Sequence, residues 1–462
     1  MRERSRIPLV LNSILSRALC CLGGVLFLIT PPAAAQEVPG LIRDAEIENT
    51  IRAYATPLWK AAGLDAGFVQ IYLVNSGQIN AFVAGGQRLF INTGLLMRAD
   101  RPNEVIGVIA HETGHIAGGH LMRFQDALEN ATVQSIIGFV LGTAGAVLSR
   151  NGEVAAAGAM AGQSMAIRSL YAFSVGQEER ADQAGLGFLE KTCQSARGLL
   201  QFFEILEKEE SLLPQQQDPY MVTHPFTSTR ADHVRDFVAH SKCSDSKDPP
   251  DLVDRHNRML AKLRGFLNAP GDVFKAYPES DHSVYARYAR AAAYHRIPMD
   301  DKALAEMDSL LKEKPEDPYF NELKGQILFE GGKVADSVRW YKKAVDELPD
   351  SSLIRVELAQ AEIESTDDRA VLQDALAILK DAVRDDDSNA DAWHDLGIVQ
   401  GRLGDIGEAS LALSEEALLV GDVKLAAQQA RRAAESLPRG SPGWIRADDI
   451  SREAKPDRRD PS

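Results

Sequence analysis

At 462 residues the chain is long enough for two or more domains, each with its own core. Its 45% apolar and 25% charged residues are ordinary for a globular protein. A formal charge of -15 argues against nucleic-acid binding, which needs a basic surface, and no nucleic-acid motif stands out.

Residues 1–35 read as an export signal. Arg2, Arg4, Arg6 and Arg17 make a basic start, Ala18 to Thr30 an apolar core, and Ala33-Ala34-Ala35 a small-residue cleavage site. The core is short for a bilayer-spanning helix, which needs about 20 residues. Cleavage before Gln36 is therefore expected over a retained anchor. Cys20 and Cys21 follow no small residue, which argues against a lipoprotein anchor. The two remaining cysteines, Cys193 and Cys243, either pair, closing a loop over 194–242, or stay as buried thiols.

Residues 41 to 64 carry helical periodicity. Phe68–Val74, Ile79–Val83 and Arg88–Asn92 read as short strands punctuated by glycines. A helix is predicted over 102 to 125. Within residues 133–165, Ile136–Leu148 carries no charge and a second Ala/Gly/Met-rich run follows Asn151-Gly152, which predicts either a tight helical hairpin or a peripheral membrane contact. Ser244–Pro250 and 268–283 read as breaks, with an amphipathic helix between them. From 284 the chain repeats. Pro315 and Pro349 stand 34 residues apart, Ala291 matches Gly325, Ala303 matches Ser337, and Met307 matches Tyr341. Trp393, Leu396-Gly397 and Glu408-Ala409 continue the pattern, with a lengthened unit at 352 to 388. That period is similar to tetratricopeptide repeats, which stack into a solenoid with a concave binding face. The expected segments are a signal peptide at 1–35, a catalytic domain at 36–267, a linker at 268–283, repeats at 284–454 and a disordered tail at 455–462.

The chemistry centres on His111-Glu112-Thr113-Gly114-His115, an H-E-x-x-H stretch inside an apolar run. On a helix, i and i+4 share a face, so two imidazoles can hold one zinc ion, with the carboxylate between them as general base. A catalytic zinc usually has three protein ligands. The metzincin pattern would put a histidine at position 121. Here position 121 is leucine and the histidine comes early, at His120, which reads as a helix-end or surface residue. Gln177-Glu178-Glu179-Arg180-Ala181-Asp182 offers a better third ligand. Glu178 and Asp182 lie one turn apart on one helix face. Glu178 can reach the metal, and Asp182 can fix a ligand histidine by accepting its other ring N–H. Glu179 competes for the ligand role with poorer spacing to Asp182.

H-E-x-x-H followed by E-x-x-A-D resembles the gluzincin-type proteases related to HtpX and the CAAX-prenyl endoprotease. Asn80-Ala81-Phe82-Val83 looks like that family's strand beside the cleft, and Thr223-His224-Pro225 with Arg230 like its H-P-x-x-x-x-R segment. The repeats point to its exported, BepA-like subgroup. The resemblance implies zinc ligands at His111, His115 and Glu178, Glu112 as catalytic base, and His224 and Arg230 near the metal. His224 would either stabilise a developing oxyanion or occupy the open zinc position and hold the enzyme idle. It implies an α+β fold: a mainly helical zincin-type domain with a small sheet, then an all-α solenoid.

The expected protein is a periplasmic zinc endopeptidase that degrades misfolded or stalled outer-membrane proteins. Its expected partners are unfolded substrates and, through the repeats, the outer-membrane protein assembly machinery. The alternative is a chaperone or assembly adaptor with a largely latent protease. An intramembrane protease would need several long apolar spans.

Overall fold

The computed structural model describes residues 40–84, 87–120, 174–212, 224 and 227–453. The expected export signal 1–35, the apolar stretch 133–165 and the tail 455–462 lie outside the described residues. Among the described residues no helix is long and apolar enough to cross a membrane.

Strand β1 (Leu41–Ile42) leads into helix α1 (Ala45–Ala62). The Asp44 side chain caps α1 by accepting from Ile47 N–H at 2.9 Å. Ile47, Ile51, Tyr54, Leu58 and Trp59 recur at helical spacing and are all buried. Strands β2 (Gln70–Val74), β3 (Ala81–Ala84) and β4 (Arg88–Asn92) follow. The sheet order is β1-β2-β4-β3, with β2 parallel to β4 and β3 antiparallel to it. This places β3 at an edge, with Phe82 opposite Phe90 and their rings stacked. The expected start of the strand at Ile79 shortens to Ala81, and Asn80 is a buried residue just before it.

Helix α2 (Thr93–Arg98) leads into α3 (Pro102–Gly118), whose first turn opens on a proline, a residue that has no N–H to lose there. The face of α3 that carries the H-E-x-x-H stretch is buried almost throughout. Helix α4 covers 174–192, followed by α5 (Arg197–Leu212), α6 (Ser228–His240) and α7 (Pro250–Leu267). Cys193 and Cys243 are joined by a disulfide, with Cα atoms 5.0 Å apart, and it closes the chain segment that carries His224.

The repeats follow as antiparallel helix pairs. After α8 (Pro270–Ala276) they comprise α9 (Val284–Arg296), α10 (Asp300–Glu313), α11 (Pro318–Glu330), α12 (Val334–Glu347), α13 (Ser352–Ser365), α14 (Arg369–Asp385), α15 (Ala390–Leu403), α16 (Ile406–Leu419), α17 (Val423–Ser436) and α18 (Pro442–Glu453). The starts of α9, α11 and α13 fall 34 residues apart, and the unit that opens with α13 is the lengthened one. The small positions have a packing reason: a Cβ on Gly325 would stand 3.0 Å from the Tyr341 ring of the paired helix. The architecture is thus α+β, a mainly helical part with one small sheet followed by an all-α repeat array.

Two expected breaks are packed chain. Residues 268–283 carry α8, whose Val273 is buried in the first repeat core. Ser244 is buried and its carbonyl accepts from Ser195 and Arg197. Helix α7 belongs to both parts, since Met259 and Leu263 join the first core and Ala261 the repeat core. Its cations also bridge them. Arg258 donates to Glu46 at 2.8 Å and to Asp317 at 2.9 Å, while Lys262 pairs with Asp44 at 2.8 Å and Glu322 at 3.3 Å. The polar spelling of those breaks reflects capping and hydrogen bonding within a packed joint.

Candidate functional site

Two small residues bring α3 and α4 together. A Cβ on Gly114 would lie 2.5 Å from the Ala181 carbonyl oxygen, and one on Gly185 would lie 2.9 Å from the Ala110 backbone. The backbones can cross this closely only where side chains are absent. Glu178 and Asp182, on the face of α4 that meets α3, are thereby pressed against His111 and His115.

His111, His115, Glu178 and His224 each offer a ligand atom, all within 4.8 Å of one another. His111 Nε2 stands 3.1 Å from His115 Nε2, 3.2 Å from Glu178 Oε2 and 3.4 Å from His224 Nδ1. Glu178 Oε1 is 3.3 Å from His115 Nε2, and its Oε2 is 3.1 Å from His224 Nδ1. A tetrahedral ion with ligands at about 2.0–2.1 Å would space those atoms about 3.3–3.4 Å apart. The donor set fits a metal for a second reason. An ionised carboxylate only accepts, so Asp182 Oδ1, 2.8 Å from His111 Nδ1, fixes the proton there and leaves Nε2 as a lone pair. Likewise His224 Nε2 donates to the Ala81 carbonyl at 3.1 Å, which turns the Nδ1 lone pair toward the cluster. In these tautomers the converging atoms are lone pairs whose repulsion a metal cation resolves; without the ion protons take its place, and although burial pulls His111 down, Asp182 and Glu178 push it up to about 10.

Glu112 lies beside this cluster, fully buried, and neither of its carboxylate oxygens has a hydrogen-bond partner. Its nearest ion-pair approach is His224 Nε2 at 3.6 Å. Burial pushes the Glu112 carboxyl up, with His224 and His111 pulling against it. A buried, unpartnered carboxylate is costly and needs an external partner such as water or substrate. The other two acids are held ionised. Burial pushes Asp182 and Glu178 up. Arg230 and His111 more than offset this at Asp182, as do His111, His115 and His224 at Glu178, so both carboxyls lie below the usual range. Arg230 forks onto Asp182 at 2.6 and 3.0 Å and reaches Glu178 at 3.1 Å. Thr227 places it by capping the first turn of α6.

The structure therefore gathers His111, Glu112, His115, Glu178, Asp182, His224 and Arg230 at one point. Glu179, the competing ligand, is exposed. Ala81 is the strand residue that touches the group, through its carbonyl; Phe82 and Val83 continue β3, whose outer edge has no paired strand among the described residues. His120 corrects an expectation. It is buried rather than at the surface, because the chain turns at Gly119 and lays its ring against His115, with the Nδ1 atoms 3.1 Å apart. The Gly118-Gly119 pair directly before it was the available signal.

The α3–α4 crossing makes a prediction. Gly114→Val should lose bound metal and cost about 1–3 kcal/mol or more by overpacking. Gly187→Ala, on the same α4 with open space around its Cβ, should be neutral or slightly stabilising. Thermal unfolding and metal content check this, and equal behaviour of the two variants would refute the close-packing account.

Residues 42–238 match the description of peptidase family M48. A beta-barrel assembly-enhancing protease of Yersinia pestis is 24% identical over 314 residues, which cover 65% of this chain and 62% of that protein. One of Escherichia coli (strain K12) is 21% identical over 411 residues, covering 87% of this chain and 81% of that protein. Metalloprotease YcaL of Escherichia coli (strain K12) is 30% identical over 176 residues, 37% of this chain and 63% of that protein. A solved tetratricopeptide-repeat protein of Thermus thermophilus covers 39% of this chain and 98% of its own, at 21% identity and a TM-score of 0.24, too loose a likeness to support the repeat assignment. Residues 42–238 thus carry a peptidase M48 domain, that of a metalloendopeptidase, and the chain is similar over most of its length to beta-barrel assembly-enhancing proteases.

Proposed function

We propose that the chain is an exported zinc endopeptidase of the periplasm that degrades misfolded or stalled outer-membrane proteins. Its repeats would bind clients or the barrel-assembly machinery. One observation carries the catalytic part of this reading: a buried, unpartnered Glu112 carboxylate beside converging His111, His115 and Glu178. The basic and apolar pattern of residues 1–35 and the names of the relatives support the location and the client class.

In this reading His111, His115 and Glu178 hold the ion and Asp182 fixes the His111 ring. Zinc, when bound, would supply a Lewis acid that polarises the scissile carbonyl and acidifies the attacking water. Glu112 takes a proton from that water and delivers it to the leaving amine. An extended substrate pairs with the free edge of β3 through backbone hydrogen bonds, which tolerate many sequences. The test is metal analysis with a cleavage assay. One zinc per chain is expected, lost in His111→Ala or Glu178→Ala together with cleavage of an unfolded protein. Full cleavage by a metal-free chain would sink the reading.

A second reading, an assembly adaptor with a latent protease, draws on His224. Its Nδ1 sits among the ligand atoms where substrate oxygen would have to enter, and its Nε2 occupies the Ala81 carbonyl that an incoming strand would need. We therefore propose that His224 fills the fourth position and holds the enzyme idle. His224→Ala should then raise cleavage of an unfolded substrate several-fold. A fall in kcat with unchanged KM would instead assign His224 to oxyanion stabilisation.

A further inference from the structure

A cavity of about 350 Å³ lies between the Asp44 end of α1 and two repeat helices. Leu353, Val356 and Glu357 line it from α13, at spacings that put them on one face. Asp391 and Asp395 line it from α15. Asp395 is only 7% exposed, yet its carboxyl makes no hydrogen bond or ion pair among the described residues, and the neighbouring His394 pairs instead with Glu416 at 3.1 Å. Glu357 Oε2 is also buried without a partner.

The nearby cations are already committed. Arg43 reaches the cavity but bonds Glu48 and Asp386, each at 2.8 Å. Lys262 bonds Asp44 and Glu322. Buried carboxyls are normally hydrogen-bonded or paired, so two left open toward one cavity mark the place of an incoming positive group. We propose that this cavity is a docking pocket for a lysine or arginine side chain of a bound polypeptide.

The lining favours such a side chain over a metal ion. Leu353 and Val356 give an apolar wall suited to a methylene stem, with the carboxyls placed for its charged end. Asn389 also lines the cavity, but its side-chain oxygen is occupied in capping α15, accepting from Ala392 N–H at 3.1 Å. Among the described residues the carboxyls lining this cavity do not converge within ligand distance of one another, as the His111, His115, Glu178 and His224 atoms do, so no ready-made cation site is present here. Burial, opposed by His394 and reinforced by Asp391, Glu364 and Glu416, lifts Asp395 to about 7, so it can ionise against an arriving cation near neutral pH. The inference rests on the repeats binding polypeptide but not on cleavage.

The test uses the full exported chain carrying Glu112→Gln, so that peptides are bound and not cut. Fluorescent unstructured peptides would differ at one central position: lysine, acetyl-lysine or norleucine. By anisotropy the lysine peptide should bind about tenfold tighter than the other two, the scale of one charge-assisted contact. Asp395→Asn with Glu357→Gln should erase that preference, and Asp391→Asn at the exposed rim should reduce it about threefold. Equal binding of the three peptides would overturn the proposal, as would a lysine preference that survives the double change. So would stoichiometric calcium binding lost in the double variant. With Glu112 intact, Asp395→Asn should still cleave a peptide lacking basic residues at the unsubstituted rate, which separates failure of the pocket from failure of the protease reading.

Discussion

Glu112→Gln should lower kcat/KM for an unfolded protein substrate by about 10²–10⁴-fold, the usual worth of a positioned general base. The substitution keeps size and shape and removes only the proton-accepting charge. Glu112 contributes no ligand atom to the His111, His115, Glu178 and His224 cluster, so metal content should remain at the unsubstituted level. Both of its oxygens lack partners, so the change removes a buried carboxylate that no hydrogen bond compensates, and stability should rise or stay level. That combination, activity lost with metal and fold retained, sets Glu112→Gln apart from His111→Ala, where metal and activity fall together. Cleavage assays alongside metal analysis read both quantities. Retention of full cleavage would remove Glu112 from the chemistry. Loss of cleavage with rescue of envelope defects in cells would favour the adaptor reading.

The parts of this site that were legible in the sequence are those set by local periodicity. His111 and His115 are one helical turn apart, and so are Glu178 and Asp182, so each pair could be placed on a face before any packing was known. The meeting of the two faces depends on Gly114 and Gly185, whose role is only visible as a missing Cβ at a crossing. The 34-residue spacing of the repeats was equally legible, because each pair packs on the next by the same small-to-large contact, Gly325 on Tyr341 being one instance. The joint between the two parts was not. Ser244–Pro250 and residues 268–283 carry the proline, glycine and aspartate of a linker, yet they form caps and a short helix. Lys262 and Arg258 read as ordinary polar positions on an amphipathic helix, whereas they are buried between the catalytic part and the repeats. Periodicity reports which face of a helix is apolar, and α7 has partners on more than one face. His120 misled for a related reason: one residue of turn at Gly119 returned a nominal helix-end side chain to the interior.

Arg230→Met should cost about 3–5 kcal/mol of stability, the penalty for removing one partner of a buried ion pair. The Arg230 side chain is 1% exposed and lies over the Phe203 ring at 5.2 Å, so methionine keeps much of the apolar contact. What it leaves behind is the Asp182 carboxylate without its fork and Glu178 without its 3.1 Å contact. Asp182 orients His111 through Nδ1, so the loss should also weaken metal binding about 10–100-fold. Arg230→Lys should fall between, because it retains the charge but cannot reach both acids with one planar fork. In metal-free protein the effect has a pH signature. Asp182 is held below its ordinary value of 3.8 in the folded chain, so the stability it contributes is present above that value and is lost as pH falls. The gap between Arg230→Met and the unsubstituted chain should therefore be widest near neutral pH and narrow as pH drops through the acid range. Denaturant unfolding across pH, with a metal titration at pH 7, measures both. A stability within about 1 kcal/mol of the unsubstituted chain, together with unchanged metal affinity, would show that the buried fork is dispensable and that His111 is oriented by packing alone.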